Sequence, residues 1–461
     1  MKVITIGEIA EAVRGSLVAG CSSVQVSGVS TDTRKITDNE VFFALKGEKT
    51  DGHDYINKAY EAGCRAAVVS RKINGCEGMA QILVEDTLKA LQDLAKYYLQ
   101  GFDKLFKVGV TGSTGKTSTK ELLFWSLSGK YKTAKNMGNF NNHIGMPLTA
   151  LSVESDHQAA IFEMGMGHFG EVDLLADIAR PDMALITNIG VSHIADLGSR
   201  ENILKAKMEI TNYFDEGSKL IINYDNDLLS SENWDDKKYK VIKVGSSQEC
   251  DYIINKITDR SEEGVDLILQ VGEKEYGFRI PIPGVHNGHN GAMAVAAAAE
   301  AGVELSLVAD TISKCQHTDK RLVICNSSHG VKVIDDTYNA SPDSMRAGID
   351  VLLSVEGNRK IAILGDMLGM GQDTEKYHRE VGEYAGLKKL DMVLSVGQDS
   401  RFISDSASEY IGSEKARHYG SREELIAELD DLIKPGDAVL IKASRAIGME
   451  MIAEYLLKDR S

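Results

Sequence analysis

Apolar residues along this chain recur in short, almost continuous runs that alternate with stretches of helical periodicity. Strands that are apolar on both faces belong to a sheet covered by helices on both sides, which is typical of parallel α/β architecture. Two such series follow one another along the chain. The runs of the first series are 107–111, 159–163, 183–188 and 219–223. The runs of the second series are 331–335, 361–365, 392–397 and 438–442.

The remaining segments complete the predicted organisation. A short apolar run at 66–69 and a helical pattern at 87–98 indicate a small α/β region at the N-terminus. Alternating charged and apolar residues from 251 to 282 predict an antiparallel ribbon, and the small apolar residues of 291–299 predict a buried helix. We therefore expect an α/β fold of three domains: a small N-terminal domain, a central parallel-sheet domain and a C-terminal Rossmann-like, doubly wound domain. Their expected ranges are 1–103, 104–318 and 319–461.

Composition and charge narrow the possible functions. The 461 residues are 43% hydrophobic, which suffices for several cores. The net charge of −16 argues against nucleic acid as a bulk partner, because phosphate binding requires a basic face. No apolar run is long enough to span a bilayer, the N-terminus lacks the apolar core of a signal peptide, and the six cysteines form no Cys-x-x-Cys pair. We expect a cytoplasmic protein with no nucleic-acid partner and no membrane insertion.

The clearest chemical motif is Thr111-Gly-Ser-Thr-Gly-Lys-Thr-Ser118, directly after the first central strand and before a helical pattern. A glycine-rich turn at a helix N-terminus points several backbone N–H groups at one place, which binds phosphate. Lys116 is placed to reach the outer phosphates, and the Thr117 hydroxyl is placed to hold Mg²⁺. The general P-loop pattern has glycine where Val110 stands, so the alternative is a tight turn with a surface lysine.

Other polar residues follow predicted strands, where ligands bind in open α/β sheets. Glu163 ends one strand and is a possible Mg²⁺ ligand, and His193 follows the next strand. The asparagine-rich loop at 136–147 has the composition of solvated turns. Lys207 stands in a helical pattern that, taken alone, predicts a solvated lysine face. Lys205 points about 200° away from it round the helix, so the two lysines cannot share a site.

The motifs, taken in order, cover nearly the whole chain and resemble those of the Mur ligase family, the ATP-dependent amide-bond ligases of peptidoglycan precursor synthesis. The family's ATP loop also lacks the early glycine. The matching segments are Thr111–Ser118, Glu163-Met-Gly-Met-Gly, Asn188-Ile-Gly-Val-Ser-His193, Ala206-Lys-Met-Glu-Ile and Gly284-Val-His-Asn-Gly-His-Asn290.

Motifs in the C-terminal part most resemble the last ligase of the series, which adds D-alanyl-D-alanine to UDP-N-acetylmuramoyl-tripeptide. They are Asp335-Asp-Thr-Tyr-Asn-Ala-Ser-Pro-Asp-Ser-Met345 and Leu364-Gly-Asp-Met-Leu368, followed by His378. Gly369-Met-Gly371 replaces the family's usual Glu-Leu-Gly, and the Asp-x-Pro-Arg signature of the preceding ligase is absent. The resemblance implies an ADP-forming acid–D-amino-acid ligase of peptidoglycan synthesis, and hence of cell shape and division, that works through an acyl phosphate. Its implied substrates are UDP-MurNAc-tripeptide and D-Ala-D-Ala, and we expect a monomer.

The resemblance also implies roles for individual residues. The ATP site would comprise Gly112, Ser113, Thr114, Gly115, Lys116, Thr117, Ser118, Asn290, Arg321 and Asp336. Two Mg²⁺ ions would be held by Thr117, Glu163, His193 and Lys207, with Lys207 carbamoylated by CO₂. The catalytic group would comprise Lys116, Lys207, His193 and Glu163. The sugar-nucleotide and peptide substrate would be bound by Thr31, Asp32, Thr33, Arg34, Lys46, Asn339 and Ser341.

Three alternatives stay open at the level of the sequence. The chain could add a single amino acid instead of a dipeptide, as other ligases of the superfamily do. It could also be a non-catalytic P-loop nucleotide-binding module, although such a module gives Glu163, His193 and Lys207 no common role. For the segment 31–34, the alternative to substrate binding is a surface turn that carries an ion pair. The identity of the third peptide residue, meso-diaminopimelate or L-lysine, is not encoded in any of these motifs.

Overall fold

The computed structural model describes residues 1–316 and 320–458. These residues form two compact units. The first unit consists of Met1–Thr111, Lys130–Ala184 and Met208–Lys219, and the second consists of Gly112–Gly129, Leu185–Lys207 and the described part of Leu220–Ser461. The domain boundary expected at 318/319 lies outside the described residues, and the boundary at 103/104 stays a prediction.

Strands and helices alternate along most of the chain. The strands are β1 (Ile4–Thr5), β2 (Ser16–Ala19), β3 (Gln25–Val26), β4 (Gly28–Ser30), β5 (Glu40–Phe43), β6 (Ala66–Val69), β7 (Ala80–Leu83), β8 (Phe106–Thr111), β9 (Thr133–Lys135), β10 (Ala159–Glu163), β11 (Met183–Ile186), β12 (Lys219–Asn223), β13 (Lys240–Gly245), β14 (Tyr252–Asp259), β15 (Val265–Val271), β16 (Lys274–Ile280), β17 (Val323–Asn326), β18 (Lys332–Asp336), β19 (Lys360–Gly365), β20 (Met392–Val396), β21 (Ala416–Tyr419) and β22 (Ala438–Lys442).

The helices are α1 (Ile6–Ala12), α2 (Ile56–Glu61), α3 (Thr87–Gln100), α4 (Lys116–Ser128), α5 (Gly145–Leu151), α6 (Glu171–Ala179), α7 (Ile194–Leu197), α8 (Arg200–Met208), α9 (Asp227–Ser231), α10 (Val285–Glu300), α11 (Leu305–Ile312), α12 (Pro342–Ser354), α13 (Thr374–Leu387), α14 (Arg401–Ile411), α15 (Arg422–Leu432) and α16 (Glu450–Leu457). Short 3-10 helices lie at Gly52–Tyr55, Glu209–Thr211, Ser261–Glu263, Gly371–Asp373 and Arg445–Ile447. No helix in the described ranges is long and apolar enough to cross a membrane.

In the first unit, the N-terminal sheet has the order β2-β7-β6-β5-β4. Its strands are parallel except β2, which pairs antiparallel with β7 at one edge. The predicted strand at 66–69 is β6, which is wholly buried, and the predicted helix at 87–98 is α3. Asp86 caps α3 by accepting hydrogen bonds from the N–H groups of Leu88 and Lys89. The same unit contains the parallel strands β8, β10 and β9.

In the second unit, β14, β15 and β16 form the predicted antiparallel ribbon, and α10 packs on β14 and β15. Small residues of α10 permit this close approach. A Cβ atom at Gly288 would lie 2.8 Å from Ile257, and one at Gly291 would lie 2.7 Å from Ile280. The prediction of a buried helix rich in small residues is therefore confirmed, and the helix is longer than the predicted 291–299 because it begins at Val285.

The C-terminal sheet, also in the second unit, has the order β17-β18-β22-β19-β20-β21 and is parallel except for β17. Neighbouring residues in one strand point to opposite faces, so Val333 and Ile334 belong to different apolar clusters. Each cluster also contains helix residues, which confirms the doubly wound arrangement. The antiparallel edge strand β17 was missed by the sequence analysis because its residues are only partly buried.

Candidate active site

The glycine-rich turn between β8 and α4 has the backbone of a phosphate-binding loop. Gly112 has φ +151° and Gly115 has φ +78°, a region that favours glycine. Space is also restricted at both positions. A Cβ atom at Gly112 would lie 1.8 Å from the Thr187 Oγ1, and one at Gly115 would lie 2.6 Å from the Asn290 Oδ1. Both the positive φ and the restricted space therefore require glycine at these two positions.

The segment after β11 holds this turn in place. The Ser113 N–H donates to the Asn188 carbonyl (3.0 Å), and the Thr114 N–H donates to the Asn188 Oδ1 (2.8 Å). The Thr187 hydroxyl donates to the Thr114 carbonyl (2.5 Å), and the Gly190 N–H donates to the Ser113 Oγ (2.9 Å). These four hydrogen bonds to one segment fix the path of the loop.

Lys116 and Thr117 begin helix α4 at the end of this turn. The Lys116 Nζ donates to the Gly112 carbonyl at 2.6 Å and lies 3.4 Å from the Ser113 carbonyl oxygen. The lysine therefore lies over the loop itself, where an incoming phosphate would meet its charge. Thr117 is almost fully buried. An ammonium group and the N-terminus of a helix at one loop create a strongly anion-attracting place.

Asn290 lies beside the loop in helix α10. Its Nδ2 donates to the Asn287 Oδ1 (2.9 Å), and the Asn287 Nδ2 donates to the Pro283 carbonyl (2.7 Å). The same Asn287 Nδ2 lies 3.1 Å from the His286 Nε2. Burial, and secondarily the charge of Lys442, lower the pKa of His286 to about 4, so its imidazole is neutral at neutral pH. This chain of amides orients Asn290 toward Gly115.

Asp336 ends strand β18 and forms a buried ion pair with Lys442, which ends β22. The Lys442 Nζ lies 2.5 Å from the Asp336 Oδ2 and also donates to the Asn339 carbonyl (2.9 Å). Burial raises the pKa of Asp336, and the charge of Lys442 opposes that shift. The sequence motif predicts Asp336 at the nucleotide but gives no indication of its partner Lys442.

Arg321 stacks over the ring of Tyr338, with its guanidinium carbon 3.9 Å from the ring centroid, and Arg445 approaches the same ring at 5.2 Å. Asn339 is exposed, whereas Ser341 is buried at the start of α12. The Ser344 hydroxyl accepts the Ser341 N–H (2.9 Å) in a capping arrangement. Arg321 and Asn339 therefore lie on accessible surface, and the Ser341 side chain belongs to a helix cap.

His193 and Lys207 also belong to the second unit. His193 has a left-handed backbone (φ +66°) at the start of α7, and its side chain is 45% exposed. Lys207 is only 1% exposed, whereas Lys205 on the same helix is exposed. Burial, followed by the nearby charge of Lys116, lowers the pKa of Lys207 well below its usual value. The solvated-face interpretation of Lys207 is wrong, and the separation of the two lysines is confirmed.

In the first unit, Glu163 ends β10 and pairs in register with Val110, the residue two positions before Gly112 in the chain. Its side chain is 1% exposed, and the Asn141 Nδ2 donates to its Oε1 at 2.8 Å. The Asn136 Oδ1 accepts the Glu163 N–H (2.6 Å). Two residues of the asparagine-rich loop thus bind Glu163, so this loop does more than the solvated turns that its composition predicted.

A cleft of about 710 Å³ in the first unit is lined by four of the five N-terminal residues expected at the sugar nucleotide. They are Thr31, Asp32, Thr33 and Arg34. The Arg34 guanidinium donates twice to Asp32, at 2.9 and 2.8 Å, and holds the pKa of that carboxyl at about 2. Lys46 is exposed and is not among the residues that line the cleft. Tyr55 and Lys58 are additional lining residues that the sequence analysis missed.

Comparisons with known proteins agree along the whole chain. Residues 25–99 match the Mur ligase family catalytic domain, residues 110–298 the Mur ligase middle domain, and residues 320–445 the glutamate ligase domain of Mur ligases. The UDP-N-acetylmuramoyl-tripeptide–D-alanyl-D-alanine ligase of Bacillus subtilis is 40% identical over 459 residues, which are 99% of this chain and 98% of that protein.

The chain belongs to the Mur ligase family.

Solved structures of family members are similar as well. MurF from Acinetobacter baumannii has a TM-score of 0.90 and 30% sequence identity, covering 99% of this chain and all of that one. MurF from Thermotoga maritima, in complex with ADP, has a TM-score of 0.78 and 28% identity, covering 94% of this chain and 97% of that one. The α/β, three-domain Mur ligase architecture expected from the sequence is thus confirmed.

Several residues of this Mur ligase's candidate site were not predicted from the sequence. Asn188 and Lys442 end predicted strands, and Thr187 directly precedes Asn188. Their position at the carboxyl edge of a sheet was therefore the signal that could have found them. Asn141 had no comparable signal, because its role depends on a loop that folds back onto Glu163. Asp366, by contrast, accepts the N–H groups of residues 398–400 and is a structural cap.

Proposed function

We propose that this enzyme adds D-alanyl-D-alanine to UDP-N-acetylmuramoyl-tripeptide in an ATP-dependent reaction that releases ADP and phosphate. The observation that carries the proposal is the 40% identity, over almost the full length of both chains, to a relative named for that activity. The reaction completes the UDP-MurNAc-pentapeptide used for peptidoglycan. Its substrates are small molecules, and we infer that the enzyme acts in the cytoplasm as a monomer.

The P-loop would bind the phosphates of ATP. The turn from Gly112 to Thr117 supports this role because bonds to residues 187–190 fix its backbone and it leads into the positive N-terminal end of helix α4. Lys116 adds a positive charge that would stabilise the γ-phosphate during its transfer. Ser118 continues the first helical turn. Asn290 would contact the adenine, Arg321 a phosphate or the ribose, and Asp336 the ribose hydroxyls.

The residues proposed for Mg²⁺ suit a hard cation. The Glu163 carboxylate and the Thr117 hydroxyl offer oxygen ligands for a first ion, and both side chains are buried. His193 and Lys207 would hold a second ion once CO₂ has converted the Lys207 amine to a carbamate, an oxygen ligand. A buried lysine favours the neutral amine, the form that reacts with CO₂. Bound Mg²⁺ would supply charge neutralisation between the phosphates and the attacking carboxylate.

The reaction has two steps. An oxygen of the tripeptide carboxylate bonds to the γ-phosphorus of ATP, and the bond to the β,γ-bridging oxygen breaks, which gives an acyl phosphate and ADP. The amine of D-Ala-D-Ala then attacks the acyl carbon, and inorganic phosphate leaves as the amine loses a proton. The protein positions the reactants and keeps water from the acyl phosphate.

The N-terminal cleft is proposed to bind the sugar nucleotide. Arg34 would give up some of its hydrogen bonds to Asp32 in order to bind the diphosphate. Thr31 and Thr33 would offer their hydroxyl groups to the uridine. Lys46 would have to approach from outside the cleft. Asn339 would contact the incoming dipeptide through its exposed side chain, and Ser341 would act by fixing the start of α12.

The test is a phosphate-release assay with purified enzyme, ATP and UDP-MurNAc-tripeptide, in which the acceptor is either D-Ala-D-Ala or a single amino acid. We expect phosphate release that requires D-Ala-D-Ala, with a product heavier than the substrate by the dipeptide. Release with a single amino acid and none with the dipeptide would favour the other superfamily ligases. Running the assay with both meso-diaminopimelate and L-lysine tripeptides identifies the third residue.

A further inference from the structure

Lys442 occupies the centre of the C-terminal sheet and has no assigned role in the reaction above. It is the last residue of β22, in register with Asp336 on one neighbouring strand and paired with Leu364 on the other. Its side chain is 3% exposed. The ammonium group binds the Asp336 carboxylate and the Asn339 carbonyl, 2.5 and 2.9 Å away.

The surroundings are shaped around this side chain. A Cβ atom at Gly348 of α12 would lie 3.4 Å from the Lys442 Cδ, so the helix leaves room for the lysine stem. A buried ion pair is weak support for stability, because desolvating two charges offsets most of their attraction. An apolar residue of similar volume would fill the same space. The two hydrogen bonds of Lys442 therefore suggest a role beyond holding the sheet together.

We propose that Lys442 is a positioning residue that ties the nucleotide-binding carboxylate of Asp336 to the dipeptide-binding loop at Asn339. One ammonium group holds a side chain proposed to contact ATP and the backbone of a residue proposed to contact the acceptor. Occupation of one site would thus order the other. This inference rests on the proposed function, because it takes Asp336 and Asn339 as substrate contacts.

The first experiment compares Lys442→Met with the parent enzyme. We expect the KM values for ATP and for D-Ala-D-Ala both to rise about tenfold, with a smaller change in kcat, because hydrogen bonds to charged groups are the strong ones. Lys360→Met is the matched control. Lys360 is a partly buried lysine at the opposite end of the same sheet, where its Nζ donates to the Val355 carbonyl. We expect this control to keep both KM values.

A second variant separates positioning from folding. Lys442→Met alone leaves Asp336 buried without its partner and should lower the Tm. The double variant Lys442→Met/Asp336→Asn removes both charges, so the Tm should recover while the KM for D-Ala-D-Ala stays raised, because Asn339 still lacks its contact with Lys442. Recovery of the KM for D-Ala-D-Ala together with the Tm would reduce Lys442 to a structural role and overturn the inference. Unchanged KM values in a folded Lys442→Met enzyme would overturn it as well.

Calorimetric titration with ADP tests the link from Lys442 to Asp336 independently of the acceptor that the enzyme uses. Weaker ADP binding by Lys442→Met, with normal binding by Lys360→Met, supports the link from Lys442 to Asp336 even if the parent enzyme ligates another acceptor. Equal ADP binding by the parent, Lys442→Met and Lys360→Met would contradict the link even if ligation of D-Ala-D-Ala is confirmed.

Discussion

The P-loop and the N-terminal cleft both combine threonines with basic side chains, yet their structures differ. In the P-loop, four hydrogen bonds from residues 187–190 fix the backbone, and both glycines are enclosed. In the cleft, Arg34 is 85% exposed, and its guanidinium is held by two bonds to the Asp32 carboxylate. The backbone of the P-loop is fixed by hydrogen bonds within the protein, whereas the guanidinium of the cleft is committed to an ion pair with Asp32. We therefore expect substitutions to have much larger effects in the P-loop.

The largest effect should come from Lys116→Ala. Removing the only P-loop side chain expected to follow the γ-phosphate should reduce kcat by about 10³-fold or more, because charge stabilisation dominates phosphoryl transfer. ATP-dependent phosphate release measures this directly. Turnover close to that of the parent would remove Lys116 from the ATP site.

Gly112→Ala tests whether the rigid backbone matters as much as the lysine. A methyl group there would overlap the Thr187 hydroxyl, so the loop must move and ADP binding should be lost or greatly weakened. Gly277→Ala is the control, because a Cβ at that strand position meets no atom within 4 Å. Retained ADP affinity in Gly112→Ala, measured by calorimetry, would mean that the loop is adaptable and that the contrast with the cleft is overstated.

Lys207→Ala extends the comparison to a buried side chain. We expect a loss of about 10²-fold or more in kcat, with partial recovery when short carboxylic acids are added to replace the carbamate oxygens. Lys205→Ala, on the exposed side of the same helix, should keep full activity. Equal rates for the two variants in the phosphate-release assay would argue against a metal-binding role for Lys207.

Arg34→Ala should have a smaller effect. We expect the KM for the UDP-linked substrate to rise about three- to tenfold with little change in kcat, because an exposed charge contributes modestly. Arg71→Ala is a matched control, since Arg71 is also exposed and ion-paired with aspartates of the same unit. A loss of kcat as large as that expected for Lys116→Ala would mean that the cleft is as preorganised as the P-loop.

The smallest effect concerns pH. Arg34 lowers the pKa of Asp32 to about 2, below its unfolded value of about 3.9. The contribution of the ion pair to stability is therefore complete above about pH 4 and is lost as the pH falls through 2. Asp32 therefore stays ionised between pH 5 and 8, and its titration should not change the KM for the UDP-linked substrate in this range. A KM profile that changes in this range in the parent but not in Asp32→Asn would contradict this.

The same comparison explains what the sequence predicts well. Continuous apolar strands predicted both parallel sheets, and Gly112 and Gly115 predicted the tight turn between β8 and α4, because its backbone shape requires glycine. Partner choice among side chains was harder to predict. Nothing local to Asp336 indicates Lys442, which lies over a hundred residues later and meets it only because β18 and β22 are neighbours. Glu163 likewise acquires Asn141 only through tertiary folding.

In the proposed reaction, the enzyme activates the tripeptide carboxylate with ATP before D-Ala-D-Ala attacks. The most direct measurement uses UDP-MurNAc-tripeptide labelled with ¹⁸O in its terminal carboxylate, together with ATP and D-Ala-D-Ala, and records the mass of the released phosphate. An acyl phosphate transfers one carboxylate oxygen to phosphate, so we expect phosphate carrying a single ¹⁸O together with a pentapeptide product. Unlabelled phosphate accompanying that product would show that the carboxylate is not activated as an acyl phosphate.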